Sequence, residues 1–296
     1  MDSGVSNRKD SKRQVLWVQD RCFLNQCAGA FSRRYTKEMH ALKAVCTQAS
    51  DWSKTQAVPL NHNEIHVWSA HMPARGLEEL QRLLSVDELT RAKRFHFDRD
   101  RRDFIGRRAI LRIVLASYLE NTPASVRFSY NDFGKPYLAD PAHPSRLSFN
   151  LSHSGELIRI AVAIDRDVGI DIEVVDESVP IDSVARSFFS PREIATLEAL
   201  PESLRRSAFF RCWTRKEAYV KARGKGLSLP LASFDVSVES GSAATLISEG
   251  RSSTVWKVEN LEGGAAHYAA VAAKGGDWKT VCRTILVEDG NRVVMP

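Results

Sequence analysis

The sequence predicts an α+β fold with two halves of the same style. Helical and strand-like segments alternate throughout the 296-residue chain, and several strands carry the alternating pattern of an antiparallel sheet. The hydrophobic content of 43% suffices for a substantial core. We expect residues 64–164 to form the first half and residues 165–296 the second, with a ligand site in the cleft between them.

The first 63 residues are predicted to be an N-terminal extension, partly disordered. Residues 1–13 are polar and charged, a composition typical of disorder. Residues 35–46 predict a short helix. Residues 56–64 contain Pro59 and several asparagines and resemble a linker.

The first half begins with a strand and contains one long amphipathic helix. In residues 101–119 apolar side chains recur on one helical face, from Phe104 to Leu119. Further helices are predicted over 77–84 and 86–97, and strands over 65–68, 126–130, 147–152 and 158–164.

The second half repeats this style. A strand over 168–174 is followed by helices near 191–200 and over 203–223. Gly224 or Gly226 is predicted to end the second helix, because glycine tolerates a positive φ. Strands are then predicted over 233–238, 254–259, 267–273 and 280–286.

Composition limits the function classes. The net charge of +6 favours an acidic protein or an anionic ligand as partner. Five cysteines without a Cys-x-x-Cys pair indicate neither a zinc site nor a disulfide framework, which fits a cytoplasmic location. The sequence has no apolar stretch of the roughly 18 residues expected of a membrane span.

The strand over 168–174 carries two carboxylates on one face. Asp171 and Glu173 alternate with Ile170 and Ile172, so the acidic pair lies roughly 7 Å apart, close enough to share a metal ion. Taken alone, a strand with a solvated acidic face is the simpler interpretation.

The helix over 203–223 places Trp213, Glu217 and Lys221 on one face. Alone, this spacing favours an exposed Glu217–Lys221 ion pair. Combined with the strand, it offers three oxygen donors for Mg²⁺ and a lysine for a phosphate. The two segments together predict metal-assisted phosphoryl chemistry on a diphosphate.

Two weaker motifs accompany this pair. Gly134-Lys135-Pro136 presents a lysine after a turn, and Ser152 and His153 stand at a strand end, where they can donate hydrogen bonds to a phosphate. A hydrolase triad is disfavoured because no Gly-x-Ser-x-Gly elbow occurs here and neighbouring strand residues face apart.

A basic region lies between residues 91 and 112. It fits a nucleic-acid footprint, an anion pocket or acidic-protein dock, or a solvated helix face, although three aspartates interrupt it. Its cations are Arg91, Lys93, Arg94, Arg99, Arg101, Arg102, Arg107, Arg108 and Arg112.

These motifs, in this order, resemble those of the Sfp-type 4′-phosphopantetheinyl transferases. The resemblance extends over roughly residues 64–290. The matching stretches are Gly134-Lys135-Pro136, Phe149-Asn150-Leu151-Ser152-His153-Ser154, Gly169-Ile170-Asp171-Ile172-Glu173, Phe188-Phe189-Ser190, Trp213-x-x-Lys216-Glu217-Ala218-x-x-Lys221 and Gly224-Lys225-Gly226-Leu227-Ser228-Leu229-Pro230.

The resemblance implies a pseudo-twofold pair of α+β halves with coenzyme A bound between them. It further implies that Asp171, Glu173 and Glu217 hold Mg²⁺ on the diphosphate of coenzyme A. Lys221 would contact the same diphosphate, and Glu217 would also deprotonate the incoming serine, directly or through water.

The resemblance also implies a site for the nucleotide end of coenzyme A. Lys135, Ser152 and His153 match positions that hold this end, including the ribose phosphate. In the basic region the match is looser, because Glu88 falls near a position where the family often has a base. Arg91 and Arg102 are the best candidates there.

The expected function is transfer of the 4′-phosphopantetheine group of coenzyme A to a serine of an apo acyl or peptidyl carrier protein, with release of 3′,5′-ADP. We expect a cytoplasmic monomer that binds neither nucleic acid nor membrane. The alternatives are a basic nucleic-acid-binding protein with structural carboxylates, and a non-catalytic coenzyme A binder.

Overall fold

The computed structural model describes residues 45–48, 58–139, 146–238, 244–248, 255–264, 266–288 and 292–295. The strands are β1 Val45–Gln48, β2 Glu64–His71, β3 Phe128–Tyr130, β4 Pro136–Leu138, β5 Leu147–Ser154, β6 Leu157–Ile164, β7 Val168–Val174, β8 Ala244–Ser248, β9 Val255–Leu261, β10 His267–Lys274, β11 Lys279–Thr284, β12 Leu286–Glu288 and β13 Arg292–Met295. The helices are α1 Leu77–Gln81, α2 Val86–Ala92, α3 Asp98–Leu119, α4 Ile181–Phe188, α5 Pro191–Glu198 and α6 Glu202–Arg223.

Two four-stranded sheets share the topology of three of their strands. Their strand orders are β11-β2-β6-β5 and β7-β10-β9-β8. In each, an opening strand leads to a 22-residue helix, and an antiparallel hairpin then returns so that its last strand pairs with the opening strand. Thus β2, α3, β5 and β6 correspond to β7, α6, β9 and β10. The predicted α+β class is confirmed.

Helix α3 covers one face of the first sheet. Its apolar residues, such as Ile110 and Val114, belong to a buried cluster that contains Trp68, Phe149 and Ile160 from the sheet. The side chains of β5 alternate, so Phe149 and its odd-numbered neighbours face this cluster while the even-numbered ones face β7.

The two sheets meet where β5 runs beside β7. Asn150 Oδ1 accepts a hydrogen bond from the backbone N–H of Ile170 at 2.8 Å, and Ser154 Oγ accepts one from Val174 at 2.9 Å. Side chains of β5 thus satisfy backbone groups of β7 that a neighbouring strand would otherwise pair.

Helix α6 lies unusually close to β7 because residue 169 is glycine. A Cβ atom there would overlap the backbone of α6 at Ala218 and Ala222. The helix ends at Gly224, whose φ is 61°, so the predicted glycine stop is confirmed.

The predicted strand over 233–238 is wrong. Lys216 Nζ donates to the carbonyls of Leu231 and Phe234, and the backbone N–H of Val236 donates to Glu193 Oε1 at 2.7 Å. These side chains take backbone groups that a strand partner would need, and the segment follows a 3₁₀ turn without joining a sheet.

Other boundaries differ as well. Helix α2 stops at Ala92, and Phe97 caps α3, so the predicted helix over 86–97 is divided. Val45 and Cys46, the end of the helix predicted over 35–46, lie in β1, which pairs with β13. The rest of that predicted helix, and the disorder predicted for residues 1–13, lie outside the described residues. Among the helices that the structure describes, none is long and apolar enough to cross a membrane.

Candidate active site

Strand β7 places Asp171 beside β5 and α6. The residue is 2% exposed. Its Oδ1 accepts hydrogen bonds from Lys221 Nζ at 2.5 Å and from Ser152 Oγ at 3.0 Å. Its Oδ2 is buried and has no hydrogen-bond partner among the residues that the structure describes. A buried carboxylate oxygen in this state is costly unless a cation or a donor meets it.

Helix α6 supplies Glu217 and Lys221 one turn apart. Lys221 forms its ion pair with Asp171. The simpler interpretation had paired it with Glu217, its neighbour on the helix. Glu217 is 9% exposed, and Trp213, one turn earlier, is buried against Phe209. The Lys221 side chain keeps 30% of its surface exposed, so a ligand can reach it from solvent.

The carboxylates of this site repel one another. Burial raises the pKa of Glu217 to about 7, with Lys221 opposing and Asp171 adding to the rise. Burial, followed by the charge of Asp171, raises the pKa of Glu173 well above its ordinary value. Burial alone would lower the pKa of Lys221, but Asp171 and Glu217 reverse that effect and raise it. Glu173 and Glu217 therefore hold a proton more strongly than free carboxyl groups do, and an added cation would favour their charged forms.

The described residues contain no group of three carboxylate, histidine or cysteine side chains placed to hold a metal ion by themselves. The donors nevertheless suit a hard cation. Asp171 offers a bare, buried oxygen, and Glu173 and Glu217 gain from any added positive charge. Mg²⁺ prefers oxygen ligands and leaves part of its coordination shell to water and substrate phosphates. The carboxylates of this site, with space left for water and phosphate ligands, fit that coordination preference.

Ser152 and His153 lie at the end of β5 and face opposite ways. Ser152 Oγ donates to Asp171 and accepts from Lys221 Nζ at 3.1 Å. The His153 ring meets Arg107 of α3, whose Nη1 lies 2.7 Å from Nε2. Burial, then Arg107 and Lys221, lower the pKa of His153 to about 3, so its ring is neutral.

Arg107 is the residue that sequence reasoning missed. It appeared only as one of nine cations in the basic region. The alternation of β5 indicates that His153 faces α3, as Phe149 and Leu151 do, but it does not select Arg107 among the cations of that helix.

The structure holds Lys135 on backbone carbonyls. Its Nζ donates to Val168 O at 3.0 Å and to Ala222 O at 3.1 Å, which ties the β3–β4 turn to the start of β7 and the end of α6. Asn131 in the same turn donates to Gly224 O at 2.8 Å. Burial lowers the pKa of Lys135 to about 8, although Asp167 opposes this.

The remaining predicted cations lie on the α2–α3 side. Arg91 is exposed, stacks 5.5 Å from the Phe104 ring centre and lines an open groove of about 520 Å³ with Arg94 and Tyr130. Arg102 is exposed, with Nη2 3.5 Å from Ala74 O.

The basic region is partly neutralised within the protein. Glu88 is buried and accepts from Arg108 and Arg112 at 2.7 Å each, and Arg101 pairs with Asp98. Arg112 is itself 1% exposed. These contacts remove three of the nine cations from any nucleic-acid footprint.

Comparison with known proteins identifies the family. A model described as "4′-phosphopantetheinyl transferase, N-terminal" matches residues 68–165, and one described as "4′-phosphopantetheinyl transferase superfamily" matches residues 167–273. The 4′-phosphopantetheinyl transferase HetI of Nostoc sp. is 38% identical over 228 residues, which cover 76% of this chain and 94% of HetI. The chain belongs to the 4′-phosphopantetheinyl transferase superfamily.

Further relatives agree with this assignment of the transferase. The 4′-phosphopantetheinyl transferase Sfp of Bacillus subtilis is 33% identical over 162 residues, covering 54% of this chain and 68% of Sfp. A putative 4′-phosphopantetheinyl transferase of Synechocystis sp. is 36% identical over 148 residues, covering 50% and 60%. The predicted family, enzyme class and transfer of phosphopantetheine from coenzyme A to carrier proteins are confirmed.

Proposed function

We propose that this transferase depends on Mg²⁺, with Asp171, Glu173 and Glu217 as ligands and Lys221 on the diphosphate of coenzyme A. The proposal rests on the different surroundings of the two carboxylate oxygens of Asp171. One oxygen is held by Lys221 and Ser152, and the other is buried without a partner among the described residues. Mg²⁺, when bound, would supply charge neutralisation on the diphosphate.

Glu217 is the proposed general base. Without metal, burial raises the pKa of Glu217 to about 7, and its carboxylate lies one turn from Lys221 on α6, so it can take the serine proton directly or through water. In the proposed reaction the serine oxygen of the carrier attacks the phosphorus next to pantetheine. The bond from that phosphorus to the bridging oxygen breaks, 3′,5′-ADP leaves with this oxygen, and the serine proton passes to Glu217.

Lys221 is proposed to neutralise charge on the diphosphate as the bond breaks. Its side chain is partly exposed, and its ammonium pairs with Asp171. Most of the acceleration would come from positioning and electrostatic stabilisation, as is usual in phosphoryl transfer.

For the nucleotide end we retain Lys135, Ser152, His153, Arg91 and Arg102 as candidates. Lys135 has three donors, of which two serve backbone carbonyls, so the third remains for a phosphate. Arg91 borders an open groove that a flat ring can enter.

The partner is proposed to be an acidic apo carrier protein, because a net charge of +6 speeds its encounter with such a partner. We propose a monomer that works in the cytoplasm. A panel of apo carriers of the fatty-acid, polyketide, nonribosomal-peptide and aminoadipate-reductase types, read by mass, would identify the substrate.

The metal site is tested with Asp171→Ala and Glu217→Ala. We expect both to abolish transfer, measured as the mass gain of an apo carrier, while the circular dichroism spectrum stays that of the parent. Lys221→Ala should lower turnover by orders of magnitude. Glu202→Gln, which removes an exposed carboxylate at the start of α6, is the matched control and should transfer at the parent rate.

A second readout does not require transfer. Mg²⁺ with coenzyme A should raise the thermal midpoint of the parent protein and of Glu202→Gln, but not that of Asp171→Ala. Activity of both alanine variants in Mg²⁺, or an equal thermal shift in all proteins, would contradict the metal site. A Lys221→Ala rate within twofold of the parent would contradict its phosphate role.

A further inference from the structure

The turn between β3 and β4 rests on the end of helix α6. Asn131 Nδ2 donates to Gly224 O at 2.8 Å, and Lys135 Nζ donates to Ala222 O at 3.1 Å. The paired residues are 93 and 87 positions apart in the chain. A helix leaves its last carbonyls without donors of its own, and here side chains of the first half supply two of them.

The side chain of Asn131 also shapes this turn. Its Oδ1 accepts hydrogen bonds from the backbone N–H groups of Phe133 at 3.0 Å and Lys135 at 2.9 Å. Because backbone N–H groups only donate, the atom that faces them is the oxygen, and the amide nitrogen must face Gly224 O. One side chain therefore both folds the turn and fixes it to the helix.

The helix end that Asn131 holds carries Lys221. The backbone N–H of Gly224 donates to the carbonyls of Val220 at 3.1 Å and Lys221 at 3.2 Å. Gly224 is thus linked to Asn131 through its carbonyl and to Lys221 through its N–H. Lys221 Nζ reaches Asp171 at 2.5 Å from this turn of the helix, so the place of the ammonium depends on the place of that turn.

We propose that Asn131 is a positioning residue of the transferase, which holds the last turn of α6 so that Lys221 stays beside Asp171 and within reach of the diphosphate of coenzyme A. This rests on the proposed function, in which Lys221 neutralises charge on that diphosphate. The described contacts of Asn131 are with the backbone of its own turn and of α6, so it acts through Lys221 and not on the reacting atoms.

The test substitution is Asn131→Asp, which keeps both acceptors of the turn but cannot donate to Gly224 O. An error of about 1 Å in the position of a catalytic group can lower the rate about 100-fold. A smaller displacement of Lys221 should therefore lower the kcat of carrier modification by about 10-fold. The KM for the apo carrier should change by less than about twofold, since an interaction that acts in the transition state is expressed in kcat.

Asn121→Asp is the matched control. Asn121 is an exposed asparagine after the end of α3, and its Oδ1 accepts in a similar way from the backbone N–H of Thr122 and from Ser125 Oγ. The substitution keeps these acceptors and makes the same change of charge at a distance from α6. It should leave both kcat and KM at the parent values.

A double-variant cycle shows whether Asn131 acts through Lys221. Binding of coenzyme A with Mg²⁺ is measured by titration calorimetry on the parent, Asn131→Asp, Lys221→Ala and the double variant. Asn131→Asp alone should weaken binding by about 3- to 10-fold, which corresponds to one hydrogen bond between neutral groups. In the Lys221→Ala background the same change should weaken binding by less than about 1.5-fold, because the group that it positions is absent.

An unchanged kcat in Asn131→Asp, or equal weakening of coenzyme A binding in both backgrounds, would overturn the inference. A general loss of structure weakens binding in both backgrounds and therefore also counts against it. Failure of the proposed function has a separate signature. A Lys221→Ala protein that modifies the carrier at the parent rate would refute the role of Lys221, whereas an inactive Lys221→Ala protein beside a fully active Asn131→Asp protein would refute the role of Asn131 alone.

Discussion

Gly169→Ala tests how the fold sets the distance between Lys221 and Asp171. A Cβ atom at this position would lie 2.8 Å from the carbonyl carbon of Lys221 and closer still to Ala218 O and Ala222 N, whereas ordinary contact begins at 3.4 Å. All three atoms belong to the backbone of α6, so no side-chain rotation relieves the overlap. The helix must move outward by on the order of 1 Å, which typically costs about 1–3 kcal/mol of stability.

The same shift moves Lys221 and Glu217 away from β7. A misplacement of about 1 Å can lower the rate about 100-fold. We expect this loss in carrier modification followed by mass, together with a lower free energy of unfolding in urea. A transfer rate within about twofold of the parent, together with a free energy of unfolding within about 0.5 kcal/mol of it, would refute the reasoning. Such a small loss of stability lies below the usual cost of overpacking.

Gly106→Ala is the matched control. Its Cβ would meet the flexible end of Met72 and lie 3.7 Å from Pro73, with no backbone atom close by. Alanine is favoured over glycine inside a helix by about 1 kcal/mol, which offsets the adjustment of Met72. The control should therefore retain the parent rate.

Two further predictions concern stability. Lys216→Met leaves Glu193 buried without its partner at 2.8 Å and should lower the free energy of unfolding in urea by about 3–5 kcal/mol; adding Glu193→Gln should recover part of this loss, and an additive double variant would contradict the pairing. Burial and Arg283 lower the pKa of His66 to about 4 in the folded protein, so below pH 6.5 the unfolded chain binds a proton that the native state refuses. Stability should fall by about 3 kcal/mol as the pH drops from 6.5 to 4, less steeply in His66→Gln, and identical pH profiles of the unfolding free energy would contradict it.

The His66 prediction has a structural basis in its hydrogen bonds. The indole of Trp68 can only donate, and it donates to Tyr118 Oη at 2.7 Å, so the tyrosine hydrogen is free to point at His66 Nδ1, also 2.7 Å away. That nitrogen must be unprotonated to accept, and protonation would break the contact.

Strand β7 was predictable because its pattern is local. The alternation of Ile170, Asp171, Ile172 and Glu173 predicts both the extent of β7 and the side that each residue faces, and the strand runs over 168–174 as expected. The end of α6 was predictable for the same reason, since Gly224 takes the positive φ that few other residues accept.

Contacts between distant elements were not predictable in this way. Residues 233–238 have strand-like composition. Their backbone groups are instead hydrogen-bonded by the side chains of Lys216 and Glu193, which lie elsewhere in the chain. Arg107 could not be chosen among nine cations because the choice depends on where α3 crosses β5. The sequence singles out Lys135 only through the Gly134-Lys135-Pro136 motif. Its partners were not predictable, because they are backbone carbonyls of the distant elements β7 and α6.

The position of the site follows from the repeat of the fold. Strand β5 is an edge of the first sheet and β7 an edge of the second, and among the described residues these edges meet through side-chain hydrogen bonds instead of a backbone ladder. Polar residues are therefore obligatory on the facing sides of both strands. Asn150 and Ser154 accept from backbone N–H groups of β7, whereas Asp171 accepts from the side chains of Ser152 and Lys221 through one oxygen and has no partner for the other among the described residues. The contact between these two strands thus also buries the carboxylate of Asp171, which Lys221 and Ser152 meet through one oxygen only.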